Sequence, residues 1–189
     1  MARQVDARRR DVLLADATAV LARRGVVDTS LRTLAAEMGT SARMLIYYFG
    51  SKDALILAVL ARQQRGFAPE PEPTSSLDEL RKYLLADWES LTRGEKQTGV
   101  RIVEQVFGAA CAQDSPYARY TADTFDRLIE ALARRLVAVG IPDELSAFRA
   151  GVVVAALQGL LMRYFTATDG RTADEAFRRL IDDVALAPY

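Results

Sequence analysis

The sequence predicts an all-α protein, and three observations support that fold class. Apolar residues recur at spacings of three and four along most of the chain, which is the spacing of one face of a helix. Glycines stand where these segments end, and capping signals stand where they begin. No run alternates between apolar and polar residues as a half-buried strand does.

The apolar stripes locate individual helices. The first helix carries Leu13, Leu14, Ala17, Val20 and Leu21, a later one carries Phe125, Leu128, Ile129, Leu132 and Leu136, and the last carries Phe177, Leu180, Ile181 and Val184. Ser76–Glu79 and Thr172–Glu175 match the capping box, in which a hydroxyl and a carboxylate satisfy the first free backbone N–H groups. Pro116 and Pro142 stand at plausible first helical positions.

A proline-rich segment divides the chain. We predict a domain at 1–50, a connecting helix at 51–65, a linker loop at 66–75 and a larger helical domain at 76–189. The connecting helix is apolar all round at Ala54–Ala61, so it needs cover on several sides. We expect it to pack against both domains and to couple them.

Composition excludes several function classes. The chain has no histidine and one cysteine, Cys111, so we expect no catalytic residues, no metal site, no cofactor and no disulfide framework. The polar N-terminus and the absence of an apolar run near 20 residues predict a cytoplasmic protein without membrane association.

Charge is distributed unevenly although the net charge is zero. Residues 1–52 hold nine basic and five acidic side chains, and the remainder holds 16 basic and 20 acidic ones. This distribution suggests a basic end that faces a polyanion.

The segment Leu31–Phe49 fits a helix-turn-helix. Leu34, Met38, Leu45 and Tyr48 occupy the apolar sites between two short helices, Ala35 is small where they cross, and Gly39 opens the turn. Thr40 or Ser41 can cap the second helix. The pattern therefore predicts a double-stranded DNA operator as partner.

The second helix would enter the major groove, so its first residues are the candidate base readers: Ser41, Ala42, Arg43 and Met44. Arg43 is the best specific reader, because its planar fork matches two acceptors of guanine. The candidate phosphate contacts are Thr29, Ser30, Arg32, Tyr47, Tyr48 and Lys52, with the run Arg8–Arg10 as a further possibility.

The stretch Arg24–Leu55 closely resembles the DNA-binding domain of the tetracycline-repressor (TetR) family, most specifically in Tyr47–Leu55. The resemblance implies a homodimer that binds an inverted repeat, usually as a repressor released by a small molecule. Ile46 stands where the family commonly has tyrosine, so a phosphate contact from that position is lost. The C-terminal half carries no family motif.

For residues 76–189 we predict a binding role. The candidate ligand-pocket residues are Trp88, Phe107, Cys111, Tyr117, Tyr120, Phe125, Gln158 and Met162. Ordinary core packing is the alternative for each. The resemblance places the dimer on the last two helices, where Gly151, Ala155 and Gly159 form a smooth ridge beside Phe177, Leu180, Ile181 and Val184.

The sequence thus predicts a DNA-binding regulator that a small apolar or aromatic effector releases from its operator. The alternative is a helix-turn-helix regulator without a small-molecule ligand, which is constitutive or controlled by a protein partner. A helical enzyme or carrier is a third class, which the absence of histidine makes remote.

Overall fold

The computed structural model describes residues 2–27, 29–67 and 75–188. Within these ranges the chain is helical, as predicted. The helices are α1 (Ala2–Arg24), α2 (Leu31–Glu37), α3 (Ala42–Phe49), α4 (Lys52–Phe67), α5 (Leu77–Thr92), α6 (Gln97–Ala110), α7 (Ala118–Ala138), α8 (Asp143–Thr166) and α9 (Arg171–Leu180), followed by a π-helical turn (Ile181–Ala185). The central part of the predicted linker, 68–74, lies outside the described residues.

The helix starts follow the capping signals only in part. Ser76 caps α5 by accepting the N–H of Glu79 at 3.2 Å, and the Glu79 carboxylate accepts the N–H of Ser75 at 2.9 Å. The prediction for Thr172 is wrong, because α9 begins at Arg171 and leaves Thr172 inside the helix. Pro142 and Pro116 also precede their helices rather than starting them.

The chain folds into two compact units. The first contains α1–α4, α6 and the first residues of α7, and the second contains α5, α8, α9 and α7 from Thr121 onward. The units are therefore not continuous in sequence, because α5 separates α4 from α6. The predicted domain limits, which run in chain order, stay a prediction.

The core of the first unit surrounds α4. Leu55, Ile56, Val59 and Leu60 are buried among apolar residues of α1, α2 and α3, and Ile102 and Val106 of α6 belong to the same buried cluster. The apolar surface all round α4 therefore has cover on more than one side. Each buried leucine or isoleucine here contributes about 1.5–3 kcal/mol relative to an exposed one.

Two polar contacts also attach α6 and the turn after it to this core. The backbone N–H of Val26, just after α1, donates to Gln105 Oε1 of α6 at 2.7 Å. A Cβ on Gly25 would lie 2.8 Å from the same oxygen, and Gly25 has a φ of +87°. Both the close approach and the positive φ therefore favour glycine at this position. The Tyr117 hydroxyl donates to Asp53 Oδ1 of α4 at 2.5 Å.

In the second unit, α5 packs against α8, α9 and the π-helical turn. Trp88 of α5 stacks on Phe177 of α9 with ring centroids 4.5 Å apart, and its Nε1–H donates to Asp174 at 2.7 Å. The same carboxylate forms an ion pair with Arg93 at 2.8 Å. This mixed apolar and ionic contact fixes α9 along α5.

Helix α8 is unusually apolar. By length and composition it is able to cross a membrane, since an 18-residue window has a mean hydropathy of 1.7, and one third of that window is buried. The expectation that no uninterrupted apolar run approaches 20 residues still holds for α8, because Arg149 and Arg163 stand within the helix. Buried Arg149 in the same helix donates to the carbonyl of Ala185 at 3.2 Å, which holds the π-helical turn against α8.

Candidate nucleic-acid interface

The helix-turn-helix of α2 and α3 is built by local signals. The hydroxyl of Ser30 caps α2 by accepting the N–H of Thr33 at 3.1 Å, and that of Ser41 caps α3 by accepting the N–H of Met44 at 3.2 Å. Gly39 has a φ of +62° in the turn between them, which favours glycine. Leu34 and Leu45 are buried and join the two helices to the first unit's core.

Helix α3 presents one exposed face, which we call the reading face and define as Arg43, Met44, Ile46 and Tyr47. Arg43 and Tyr47 are one helical turn apart, and Tyr47 is 70% exposed. Because the opposite side of α3 is anchored through Leu45 and Phe49, the reading face is held outward by the core. Ser41 is exposed at the start of α3, and Ala42 is half-buried against the core.

Several predicted phosphate contacts are already engaged within the chain. Thr29 is buried and donates to the carbonyl of Gly25 at 2.6 Å, so its hydroxyl is not presented to DNA. The Tyr48 hydroxyl donates to Asp6 at 2.8 Å, which raises the pKa of Tyr48. Lys52 Nζ lies 3.3 Å from the carbonyl of Val27. Ser30 is exposed, and its hydroxyl already caps α2.

Some of the basic side chains at this end already have partners within the chain, and others do not. Arg23 and Arg24 both form ion pairs with Glu37 of α2, and Arg10 lies 5.1 Å over the ring of Phe49. Arg8, Arg9, Arg32 and Arg43 are exposed and form no ion pair with any residue that the structure describes. These four side chains are the cations that remain for a polyanion.

The comparisons with known proteins agree with this geometry. Residues 13–59 match the family model described as bacterial regulatory proteins of the tetR family. A TetR-family member from Streptomyces coelicolor is 28% identical, with 92% of this chain and 98% of that chain covered and a TM-score of 0.63. Residues 13–59 are therefore identified as a DNA-binding segment of the tetR type, and the chain is similar over 92% of its length to a TetR-family member.

Other solved structures share the full-length fold. A protein of Saccharomonospora viridis, solved in complex with choline, is 22% identical with a TM-score of 0.76, and covers 93% of this chain and 96% of its own. A TetR-family protein from Rhodococcus is 21% identical with a TM-score of 0.71, and covers 95% of this chain and 99% of its own. No curated protein matches the chain.

The matched segment therefore indicates a DNA-binding transcriptional regulator. The matched segment runs from the second half of α1 through the first half of α4 and includes the whole helix-turn-helix. The individual DNA contacts stay a prediction. Among them, Arg32 and Arg43 combine exposure with an unpaired charge, and they are the strongest candidates.

The predicted pocket residues do not gather in one unit. The first unit holds Phe107, Cys111, Tyr117 and Tyr120, and the second holds Trp88, Phe125, Gln158 and Met162. Trp88 and Tyr117 are buried and engaged with Asp174 and Asp53 respectively. Cys111 and Met162 are exposed, Phe107 is buried, and Tyr120 and Phe125 are half-buried. Gln158 Oε1 is buried and has no hydrogen-bond partner.

One buried acid was not predicted from the sequence. Glu104 of α6 is half-buried, and burial raises its pKa to about 7. Its signal in the sequence is an acid, next to Gln105, within the mainly apolar run Ile102–Phe107, but only the fold shows how far the carboxylate is removed from water.

Replacing Arg43 by alanine should remove sequence preference and leave the fold intact. Loss of a bidentate guanine contact costs about 1–3 kcal/mol of discrimination, so the ratio of specific to non-specific affinity should fall about 10- to 100-fold. Competition footprinting on operator and random DNA measures this ratio. Arg171→Ala, a change of the exposed arginine at the start of α9, should have no effect; equal footprints for parent and Arg43→Ala would contradict the assignment.

Replacing Glu104 by glutamine should change the pH dependence of stability. Folding favours the protonated carboxyl, so Glu104 destabilises the protein progressively as pH rises from about 4.5 to 7. Glu104→Gln should match the parent near pH 4.5 and exceed its free energy of unfolding by about 1–3 kcal/mol above pH 7. Urea unfolding at several pH values measures this difference, and exposed Glu95→Gln is the control. A pH-independent difference would refute the burial effect.

Proposed function

We propose that the chain is a TetR-family regulator, a homodimeric, cytoplasmic repressor that a small-molecule effector releases from its operator. The observation that carries the dimer is an exposed apolar stripe on α8. Similar proteins support the effector: the Saccharomonospora viridis protein is in complex with choline, and a multidrug binding protein that is 26% identical is complexed with imidazole. A third, 13% identical, is in complex with isovaleryl coenzyme A and operator DNA.

The α8 stripe consists of Phe148, Val152, Ala155, Gly159 and Met162. Phe148 is 67% exposed and Met162 is 59% exposed, although both belong to a long apolar helix. Contiguous apolar surface of this kind marks an interface. A second copy is the occupant we propose, because a stripe along one helix is self-complementary about a two-fold axis.

The predicted interface residues divide accordingly. Ala155 and Gly159 lie in the exposed stripe, and Gly151 is half-buried beside it. Leu180 and Val184 are half-buried. Phe177 and Ile181 are buried within the chain itself, where Phe177 stacks on Trp88, so they support the interface helices from behind rather than facing a partner.

Dimerisation has a functional reason. One reading face of four residues contacts only a few base pairs, whereas two faces at one helical-turn spacing read both halves of an inverted repeat. A repressor held by both halves is released when an effector prefers a conformation with another spacing. The effector can shift that equilibrium only by its differential affinity for the two conformations.

We propose that α6, α4 and α7 transmit this change. Helix α7 is continuous, with Ala118–Tyr120 in the first unit and the remainder in the second. Tyr117, immediately before it, is bonded to Asp53 at the start of α4. A displacement of α6 or of this turn therefore acts directly on the core that holds α3.

Replacing Gly159 by leucine should prevent dimerisation without unfolding the chain. A Cβ at Gly159 meets no atom of the chain within 4 Å, so a larger side chain disturbs only a second helix that approaches closely. We expect sedimentation to give a monomer and operator affinity to fall at least 100-fold. Gly108→Leu, at another exposed helical glycine with no atom within 4 Å, is the control. A dimer of unchanged affinity for Gly159→Leu would exclude the α8 stripe as the interface.

Selection from random DNA, followed by an effector screen, tests the repressor function. The selected operator should be an inverted repeat, and compounds that raise the melting temperature should also release the protein from it. If no compound that binds changes operator affinity, the alternative of a constitutive or partner-controlled regulator holds. If the selected DNA lacks an inverted repeat, the homodimeric mode of binding fails.

A further inference from the structure

Arg135, near the end of α7, is a buried cation without an anion. The residue is 9% exposed, and its Nη1 is buried with no hydrogen-bond partner among the residues that the structure describes. No carboxylate in the described part of the chain forms an ion pair with it. Burying an uncompensated charge is strongly unfavourable. A negative group bound beside Arg135 would therefore stabilise the fold.

Other arginines of the second unit, including the other buried one, have acceptors. Arg149, which is also buried, donates to the carbonyl of Ala185, and Arg93 pairs with Asp174. Arg134, the neighbour of Arg135 in the chain, has an exposed side chain and pairs with Glu130 at 3.6 Å. Arg135 therefore differs from them in combining burial with an unsatisfied donor, Nη1.

Arg135 makes an aromatic contact with Tyr83 of α5. Its Cζ lies 3.8 Å from the centroid of the Tyr83 ring of α5. A guanidinium that stacks on a ring uses one flat face, and its N–H groups point outward in the plane of the fork. Tyr83 is 39% exposed, so the pair has access to solvent on the tyrosine side.

We propose that Arg135 and Tyr83 form an oxyanion-binding subsite for the effector. This assignment rests on the proposed function and specifies the effector's chemistry: a carboxylate or phosphate bound by the guanidinium fork, joined to a flat or apolar group beside the Tyr83 ring. A planar carboxylate fits best, because its two oxygens accept two parallel N–H bonds. Binding would supply the counter-charge that the fold omits.

Thermal unfolding with three small probes tests the subsite. Benzoate should raise the melting temperature of the parent by a few degrees at concentrations about tenfold above its Kd, and uncharged benzamide should not. Inorganic phosphate separates the two sources of oxyanion: a response to benzoate alone assigns a carboxylate, and a response to both assigns any oxyanion. No response to either anion would overturn the proposal.

Variants locate the response. Arg135→Met should lose it and, without anion, melt no lower than the parent because an unpaired buried charge is gone. Arg135→Lys, which keeps the charge but not the fork, should bind benzoate at least tenfold more weakly and serves if the methionine variant fails to fold. Arg134→Met is the matched exposed control and should respond like the parent. An unchanged response in Arg135→Met or Arg135→Lys would contradict the subsite.

Operator binding measured on the same samples separates this subsite from the proposed function. If benzoate binds through Arg135 and the operator stays bound, the subsite stands and its role in release fails. If another compound releases the operator while neither anion binds, the repressor function stands and the oxyanion subsite fails.

Discussion

The burial of α4 is the constraint on which the first unit depends. A helix with Leu55, Ile56, Val59 and Leu60 buried needs partners on more than one side, and the helix-turn-helix supplies only some of them. Ile102 and Val106 of α6 complete the cluster from a distant part of the chain. The recognition helix α3 is consequently fixed to a core that includes α6, and this arrangement joins DNA reading to a helix outside the DNA-binding segment.

Local features of the DNA-binding segment were predictable because each depends on a few neighbouring residues. Gly39 in the turn and buried Leu45 follow from spacing alone, and spacing left the cap of α3 between Thr40 and Ser41, of which the structure uses Ser41. The place of α6 was not predictable in this way. The hydrogen bond from Val26 to Gln105 joins residues 79 positions apart. The apolar periodicity of neither segment predicts it. Thr172 is the opposite case. It has the sequence pattern of a helix cap, but α9 already begins at Arg171, so Thr172 lies inside the helix.

Charge was the least predictable property, because its effect depends on burial and pairing. The basic excess at the N-terminal end counts Arg23 and Arg24, which both pair with Glu37, so that one of their two charges is already neutralised. Glu104 and Arg135 look ordinary in the sequence, yet burial raises the pKa of the first and leaves the second without a counter-ion. The pocket residues chosen for aromatic character include Trp88 and Tyr117, which serve the packing of their own units.

Native-state hydrogen exchange tests most directly whether the recognition helix and α6 behave as one cooperative body. If they share a core, the amides of Leu45, Phe49, Ile102 and Val106 should open with the same free energy and the same dependence on denaturant. Exchange of the α6 amides at clearly lower free energy, while those of α3 stay protected, would contradict a shared core and with it the route from α6 to DNA.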